Sequence, residues 1–379
     1  MRGMAYDGDK ARGSQRGSGN ARCLFEADGV QLFHRSARSD NAVVLFCEGP
    51  TCARIRTNWI SAPGRAAVDL FEVRPSRAGH YPPQEMRALC QILTETSSRP
   101  AIALGAAMGG QAALHYARQA GCGALLAFSP IGVAPTGDPA SGPDLQQDDL
   151  APFTLIAFDP HRADDAAQFA ALRQLDGVQP VRLPFMGQRT ERTLIGENIA
   201  RRVFTAVLRG EAGEVARLLR HNRGHDDGFL SRLSIACSQG GHPRWGAEIA
   251  AKGDPTRQHL PDLAMARAEA QAALGQPLNA VETLEGLVVA APESPRYWTL
   301  LADRYEAMGQ VWATTEVLEL ALAVTENFGF CWRLLRILAA TDDPKARMQA
   351  RALAELAKHH WPERRAQIAR IVRAIPPVQ

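Results

Sequence analysis

The sequence predicts two folded domains of different class: a three-layer α/β domain with a mostly parallel sheet, and after it an all-α domain of helical repeats. Two observations carry this prediction. Short apolar runs alternate with amphipathic stretches in the first half, whereas only helical patterns with a 34-residue period remain in the second. We therefore expect a disordered tail over 1–20, the α/β domain over 21–209 and the helical domain over 210–379.

Composition and charge exclude several classes of protein. Of the 379 residues, 46% are hydrophobic and 22% are charged, which is close to the average of soluble globular proteins. The 43 basic and 40 acidic residues nearly cancel, and no run of five Lys or Arg residues occurs, so nucleic acid is not an expected partner. No window approaches the roughly 18 consecutive apolar residues of a membrane span, so we expect no membrane association.

The seven cysteines are scattered and show neither a Cys-x-x-Cys motif nor the His/Cys spacing of a zinc site. This pattern is typical of reduced thiols, and we predict a cytoplasmic protein. We expect no metal site and no cofactor. The adjacent His359 and His360 would point about 100° apart on a helix, so they cannot chelate one metal ion together.

Strands and helices alternate through the first half of the chain. Three amphipathic helices are predicted at Pro83–Thr96, Met108–Gln119 and Asp164–Leu175. Because helices separate the strands, we expect the strands to pair in parallel. The six predicted strands are Ala42–Cys47, Ala67–Val73, Ala101–Leu104, Gly123–Phe128, Phe153–Phe158 and Val178–Leu183.

One strand-to-helix turn carries the most informative motif. The run Gly105-Ala106-Ala107-Met108-Gly109-Gly110 follows a predicted strand and opens a predicted helix. It resembles the elbow of the α/β-hydrolase superfamily, Gly-x-Ser-x-Gly, in which the nucleophile occupies strained backbone and its neighbours must be small. The Met-Gly-Gly-x-Ala-Ala run and the later Ala-Phe-Ser-Pro segment are similar to a bacterial esterase-like branch. The resemblance covers about residues 22–208 and implies an α/β-hydrolase fold.

The resemblance implies three catalytic positions, and only one of them keeps its chemistry. Ala107 stands at the nucleophile position, Asp159 at the acid position and Gln188 at the base position. Alanine has no lone pair with which to attack an acyl carbon, and an amide cannot accept a proton near neutral pH. Two losses in one site favour natural degeneration over a single engineered change. We therefore expect no intact catalytic triad.

The resemblance also implies an oxyanion region beside the elbow. The Met108 amide at a helix N-terminus is one expected donor, and Gly49, in the loop after the strand Ala42–Cys47, is the expected second. Neither amide depends on the lost serine, so we expect this pocket to bind a small-molecule ligand. The nearby Glu48 carboxylate opposes the binding of anions. Ser129 ends a strand without an elbow, and we interpret its hydroxyl as structural.

The second half of the chain has an internal period. Gly275, Gly309 and Asp343 lie 34 residues apart at predicted turns, a spacing that resembles the tetratricopeptide repeat. Copies of such helix pairs stack because one pair cannot bury its apolar face alone. The weakest copy, after Phe328, is expected to form the end cap. A helical bundle with an accidental register remains an alternative. The predicted repeat helices are Leu263–Leu274, Leu278–Ala291, Arg296–Met308 and Val311–Thr325, and Trp298, Trp312 and Trp332 are predicted to pack between them.

Two functions of different class follow from these features. The first is a noncatalytic α/β-hydrolase-like protein, a pseudoenzyme, whose repeats bind a protein or peptide on their concave face and whose pocket binds a small ligand or serves only as a scaffold. The second is a divergent active esterase or acyl hydrolase that acts on a small ester, with His161, His221 or His225 as a substitute base. Surface histidines are the commoner role for these three. A regulatory partner of a true hydrolase is a third, weaker hypothesis.

Overall fold

The computed structural model describes residues 21–37, 39–51, 68–97, 100–131, 145–253 and 261–374. The chain divides into two compact units. The sheet unit comprises Met1–Pro184 with Gln188–Asn222, and the helical unit comprises Phe185–Gly187 with Arg223–Gln379. Residues 210–222, which the sequence analysis assigned to the helical domain, fall in the sheet unit. In the part of the chain that the structure describes, no helix is long and apolar enough to cross a membrane.

Eight strands form one sheet in the order β1-β2-β4-β3-β5-β6-β7-β8. The pairs from β4 through β3 to β8 are parallel, whereas β1 with β2 and β2 with β4 are antiparallel. The sheet is therefore mostly parallel, as predicted. The strand bounds are β1 Arg22–Ala27, β2 Val30–Arg35, β3 Ala42–Phe46, β4 Asp69–Pro75, β5 Ala101–Ala106, β6 Ala124–Phe128, β7 Phe153–Phe158 and β8 Val178–Arg182.

The sequence analysis missed the first two strands. They form a hairpin in which Ala27 pairs with Val30 across the turn Asp28-Gly29. Gly29 has a φ of 103°, a value that favours glycine. An Asp-Gly dipeptide between two short apolar runs is a strong hairpin signal. The signal was therefore present in the sequence.

Helices cover both faces of the sheet, which gives the predicted three layers. The helix α1 (Pro83–Thr96) has the predicted bounds, and with α2 (Met108–Tyr116) and α3 (Ala163–Leu172) it packs on one face through a shared apolar core. The other face carries α4 (Glu197–Leu208), whose Phe204 lies close to strand residues of β3 and β5. After α4 the chain continues into α5 (Ala212–Asn222).

The helical unit is a series of helix pairs. Each helix from α8 to α13 packs against its neighbours in sequence, as stacked repeats require. The four predicted repeat helices are confirmed, each with ends within two residues of the prediction. The bounds are α6 Asp227–Gln239, α7 Pro243–Ala250, α8 Pro261–Ala273, α9 Pro277–Ala290, α10 Pro295–Ala307, α11 Val311–Thr325, α12 Phe328–Ala340, α13 Pro344–His360 and α14 Arg365–Ala374.

The turns within the pairs repeat one backbone conformation. Gly241, Gly275 and Gly309 lie 34 residues apart and have φ values of 84°, 75° and 70°. The glycine at each helix end accepts the left-handed conformation that closes the last turn. Gly241 shows that α6 and α7 form a further pair in the same register, ahead of the four predicted repeat helices. At the next equivalent position Asp343 instead caps α13, since its carboxylate accepts a hydrogen bond from the Lys345 amide.

The tryptophans of the repeats differ in their environment. Trp298 is 6% exposed, and its indole N–H donates to the carbonyl of Pro292 at 2.7 Å. Trp312 is 67% exposed, so the prediction that it packs between helices is wrong. Position 312 is the second residue of α11, where the side chain lies outside the buried stripe of that helix.

Candidate functional site

The elbow lies at the carboxyl end of β5, where Ala107 joins that strand to α2. Ala107 has φ 51° and ψ −121°, a conformation that residues other than glycine rarely adopt. Its amide donates to the Phe128 carbonyl at 2.9 Å, and its carbonyl accepts from the Ile131 and Gln111 amides at 3.3 and 3.1 Å. These three bonds, one of them from the loop after β6, hold the strained residue in place. Its methyl group is 1% exposed.

The elbow glycines are required by close backbone approach. A Cβ atom on Gly105 would lie 2.2 Å from the Gly109 carbonyl oxygen. A Cβ atom on Gly109 would lie 2.2 Å from the Phe46 carbonyl oxygen, at the end of β3. Both distances are far shorter than any contact a real Cβ atom makes. The two glycines therefore allow α2 to pack closely against β3 and β5, whichever residue occupies position 107.

The retained carboxylate follows β7 directly, at the same edge of the sheet as the elbow. Asp159 is 2% exposed, and its Oδ1 accepts from the His161 amide at 3.0 Å. Its own amide donates to Asp165 Oδ2 at 3.1 Å. One strand, β6, separates β7 from β5 in the sheet. The acid position is thus buried and fixed by local hydrogen bonds.

A buried polar network that sequence reasoning missed lies beside the acid position. Ser129, at the end of β6, has φ 38° and is 2% exposed. Its hydroxyl donates to Asp165 Oδ2 at 2.8 Å and lies 2.9 Å from the Thr190 hydroxyl. The three residues are separated by 36 and 61 positions, so no local pattern links them. Their mutual hydrogen bonds support the structural interpretation of Ser129, since the hydroxyl is buried and engaged.

The base position differs from the other two in its exposure. Gln188 lies in the loop after β8 and its side chain is exposed. The three preceding residues, Phe185–Gly187, belong to the helical unit, where Arg232 donates to the carbonyls of Phe185 and Met186 at 2.7 and 2.6 Å. That Ala107, Asp159 and Gln188 converge in space stays a prediction.

The residues predicted to form an oxyanion region lie where the loops after β3 and β4 meet the start of α2. Gly49 is buried, and the neighbouring Glu48 carbonyl accepts from the Gly79 amide at 2.9 Å. The Met108 side chain lies against Gly79, since a Cβ atom there would stand 1.8 Å from Met108 Cε. The Met108 amide is the first of α2, so it has no acceptor within the helix. That the Met108 and Gly49 amides form an oxyanion pocket stays a prediction.

Several cysteine and tyrosine side chains of the sheet unit either have a raised pKa or form a covalent or hydrogen bond. Burial raises the pKa of Cys90 and of Cys122 to about 12, so neither thiol ionises readily as a nucleophile. Burial and, secondarily, the Glu48 carboxylate raise the pKa of Tyr81, whose hydroxyl donates to the Cys47 carbonyl. Cys47, at the end of β3, is disulfide-bonded, so the expectation of reduced thiols is wrong for this residue.

The residues considered as substitute bases lie at the surface. His161, His221 and His225 are all exposed. Among the described residues, no group of three or more His, Cys, Asp or Glu side chains is arranged to hold a metal ion. A cavity of about 200 Å³ in the sheet unit lies between Asn41 and Phe204, at the amino ends of the parallel strands and thus at the edge opposite to Ala107.

No family model matches the chain, and no curated protein matches it. Several solved structures are similar to parts of it. XC6422 from Xanthomonas campestris, a member of the α/β serine hydrolases without a lid, is 17% identical over 50% of this chain and 92% of its own, with a TM-score of 0.35. A Podosopora anserina structure of nearly identical TPR-like repeats is 22% identical over 40% of this chain and 86% of its own, with a TM-score of 0.30. A double mutant of MamA RS-1 is 22% identical over 43% of this chain and 95% of its own, with a TM-score of 0.29.

The architecture itself identifies the two units. The sheet unit has a mostly parallel sheet, helices on both faces and a strained strand-to-helix elbow. The helical unit has helix pairs that repeat every 34 residues with the same turn conformation. The chain therefore combines an α/β-hydrolase-like fold with tetratricopeptide-like helical repeats.

Proposed function

We propose that this protein is a noncatalytic α/β-hydrolase-like protein, a pseudoenzyme, whose helical repeats serve protein interaction. The observation that carries the proposal is the buried methyl group of Ala107 on an intact elbow backbone. Acyl transfer by this fold needs a hydroxyl or thiol at that position and a base that takes its proton. The methyl group supplies neither a nucleophile nor a proton to transfer.

The other two triad positions support the same proposal. The exposed Gln188 amide cannot act as a general base. Asp159 serves a local turn through the His161 amide, and this role does not depend on a catalytic histidine. Retention of the elbow glycines fits a fold that has kept its packing after its chemistry was lost.

The repeats support the interaction part of the proposal. Stacked helix pairs leave an extended groove, and such grooves suit an extended protein or peptide segment. A small ligand in the oxyanion region is part of the proposal, because the Met108 amide lies free of the helix's own hydrogen bonds. We also propose a cytoplasmic location, which the five free cysteines among the described residues favour and the disulfide of Cys47 does not.

Ester turnover tests the proposal directly. The purified full chain should hydrolyse p-nitrophenyl acetate and p-nitrophenyl butyrate no faster than its Asp159→Asn variant, because there is no triad for Asp159 to complete. Circular dichroism should first show that the Asp159→Asn variant is folded like the unmodified chain, so that the two rates of hydrolysis can be compared. Saturable hydrolysis by the unmodified chain that Asp159→Asn abolishes would establish the alternative, a divergent active esterase, and refute the pseudoenzyme.

A further inference from the structure

Exposed apolar side chains concentrate on three helices of the repeat region, α9, α11 and α13. Among the described residues, these helices carry eight of the eleven large apolar side chains that are exposed. Each is the second helix of its pair, and the second helices of successive pairs follow one another along one side of a stack. Apolar residues that gather on one surface mark an interaction site, whereas scattered ones do not. The eight side chains are Leu278, Val289, Val311, Trp312, Leu320, Val324, Met348 and Leu356.

The exposed surface of α11 is apolar and acidic. Trp312, Leu320 and Val324 are 67%, 53% and 50% exposed, and with Glu316 they recur every four residues along one face of the helix. Glu319 is exposed beside them, and α11 contains no basic residue. Within the described residues, neither glutamate side chain forms an ion pair or a hydrogen bond. We call these five residues the acidic face.

The exposed surface of α13 is apolar and basic. Met348 and Leu356 are 61% and 68% exposed, and Lys345 lies on the same side of the helix, one turn before Met348. The helix contains four Lys or Arg residues and one acidic residue, Glu355, which pairs with Lys358 of the same helix at 2.6 Å. This surface therefore offers positive charge beside apolar side chains. We call it the basic face, and it consists of Lys345, Met348, Gln349 and Leu356.

The acidic face and the basic face belong to neighbouring pairs of the stack, since α11 and α13 both pack against α12. A two-fold axis between two copies of the chain places the acidic face of each copy against the basic face of the other. Such a contact pairs opposite charges twice and covers both apolar surfaces at once. Closed two-fold dimers are the commonest assemblies of identical chains, and their interfaces are self-complementary in this way.

We propose that the chain forms a two-fold dimer in which the acidic face of each copy binds the basic face of the other. Charge complementarity selects a second copy as the occupant, because one chain carries both halves of the contact. The apolar side chains supply the driving force for association, and the charges determine which helix meets which. The inference rests on the interaction role proposed for the repeats and names one partner for it.

Sedimentation equilibrium of the full chain tests for the dimer. We expect a reversible equilibrium between monomer and dimer at micromolar protein concentrations, with no larger species. Salt should weaken the dimer, because the charges of both faces are exposed in the monomer and are screened by ions.

Two charge-reversed variants test which helices meet. Glu316→Lys with Glu319→Lys reverses the acidic face, and Lys345→Glu with Gln349→Glu reverses the basic face. Each variant alone should dimerise at least tenfold more weakly than the unmodified chain, because like charges then face each other in both contacts. An equimolar mixture of the two variants should recover the dimer, because both contacts between unlike variants join opposite charges.

The matched control is Glu211→Lys with Glu248→Lys. It makes the same change in net charge as the reversed acidic face, at exposed glutamates outside both faces. This control should dimerise like the unmodified chain. Circular dichroism should show that every variant is folded. If one variant does not fold, the concentration series of the unmodified chain still distinguishes a monomer from a dimer.

Five results would overturn the proposal: an unmodified chain that stays monomeric, species larger than a dimer, undiminished dimerisation of either reversed variant, a mixture of folded variants that stays monomeric, or an equal loss in the control. Because ester turnover is measured separately, a monomeric chain leaves the pseudoenzyme proposal intact. Ester hydrolysis would refute the pseudoenzyme while leaving the dimer unaffected.

Discussion

The elbow of the sheet unit and the turns of the helical unit both place residues at positive φ, but for different physical reasons. The turn glycines Gly275 and Gly309 face open space, and the chain bends there because the preceding helix ends. At the elbow, a non-glycine residue, Ala107, is held at φ 51° by hydrogen bonds from distant segments. Gly109, two residues after Ala107, packs against the Phe46 carbonyl at the end of β3. Turn geometry is therefore local, whereas elbow geometry is imposed by tertiary packing.

The largest expected effect comes from crowding the elbow. Gly109→Ala should lower the free energy of unfolding of the sheet unit by about 3 kcal/mol, because its Cβ atom would collide with the Phe46 carbonyl and force backbone shifts. Gly123→Ala is the control in the same unit, since a Cβ atom there meets nothing within 4 Å. Hydrogen–deuterium exchange of peptides from β5 and β6 would report the stability of this unit separately. Equal protection in the two variants would show that the elbow is not tightly packed.

The next effect measures strain at the nucleophile position. Replacing a buried helical alanine, Ala302→Gly, should lower the free energy of unfolding by about 2 kcal/mol through lost helix propensity and lost methyl burial. Ala107→Gly removes a methyl group that is equally buried but also relieves about 1–2 kcal/mol of backbone strain. The net change at Ala107 should therefore stay within about 0.5 kcal/mol. The two variants are compared by denaturant unfolding, with hydrogen exchange used to monitor each unit. Similar losses in the free energy of unfolding for Ala302→Gly and Ala107→Gly would contradict the strained elbow.

The smallest expected effect is a pH dependence in the sheet unit. Burial lowers the pKa of His115 on α2, although the nearby Asp149 carboxylate acts in the opposite direction. The unfolded chain then takes up a proton more readily than the folded one, so stability falls as the pH drops through the ordinary histidine pKa of about 6.5. His115→Gln should flatten this decline between about pH 7 and 5. The same change at the exposed His359 should leave the decline unchanged, and an unaltered slope in His115→Gln would refute the assignment.

Much of the fold could be predicted because its signals are local. The helix Pro83–Thr96 was predicted to the residue, since Met86, Leu89 and Leu93 form an apolar stripe with helical spacing. The elbow run, with its glycines before and after Ala107, likewise predicted a strand-to-helix turn that the structure confirms. The hairpin at Asp28-Gly29 shows that a local signal can also be overlooked.

The candidate site was predicted less completely, for a physical reason. The sequence identifies Ala107 and Gln188 as chemically inert at their positions, because the functional groups present are read directly from the residue types. The Ser129–Asp165–Thr190 network brings together residues 36 and 61 positions apart, which only the sheet topology can place side by side. The disulfide of Cys47 was missed because residue spacing does not show which cysteines meet.

The sequence by itself determined the helix pairs, their 34-residue register and the loss of the nucleophile, since periodicity, turn glycines and side-chain chemistry are properties of short segments. The tertiary structure decided which of those segments are buried and what they meet. It placed Trp312 in solvent and Trp298 in the core, although both lie on repeat helices. It also left Leu320 and Leu356 exposed, because burial depends on which neighbouring helices cover each face.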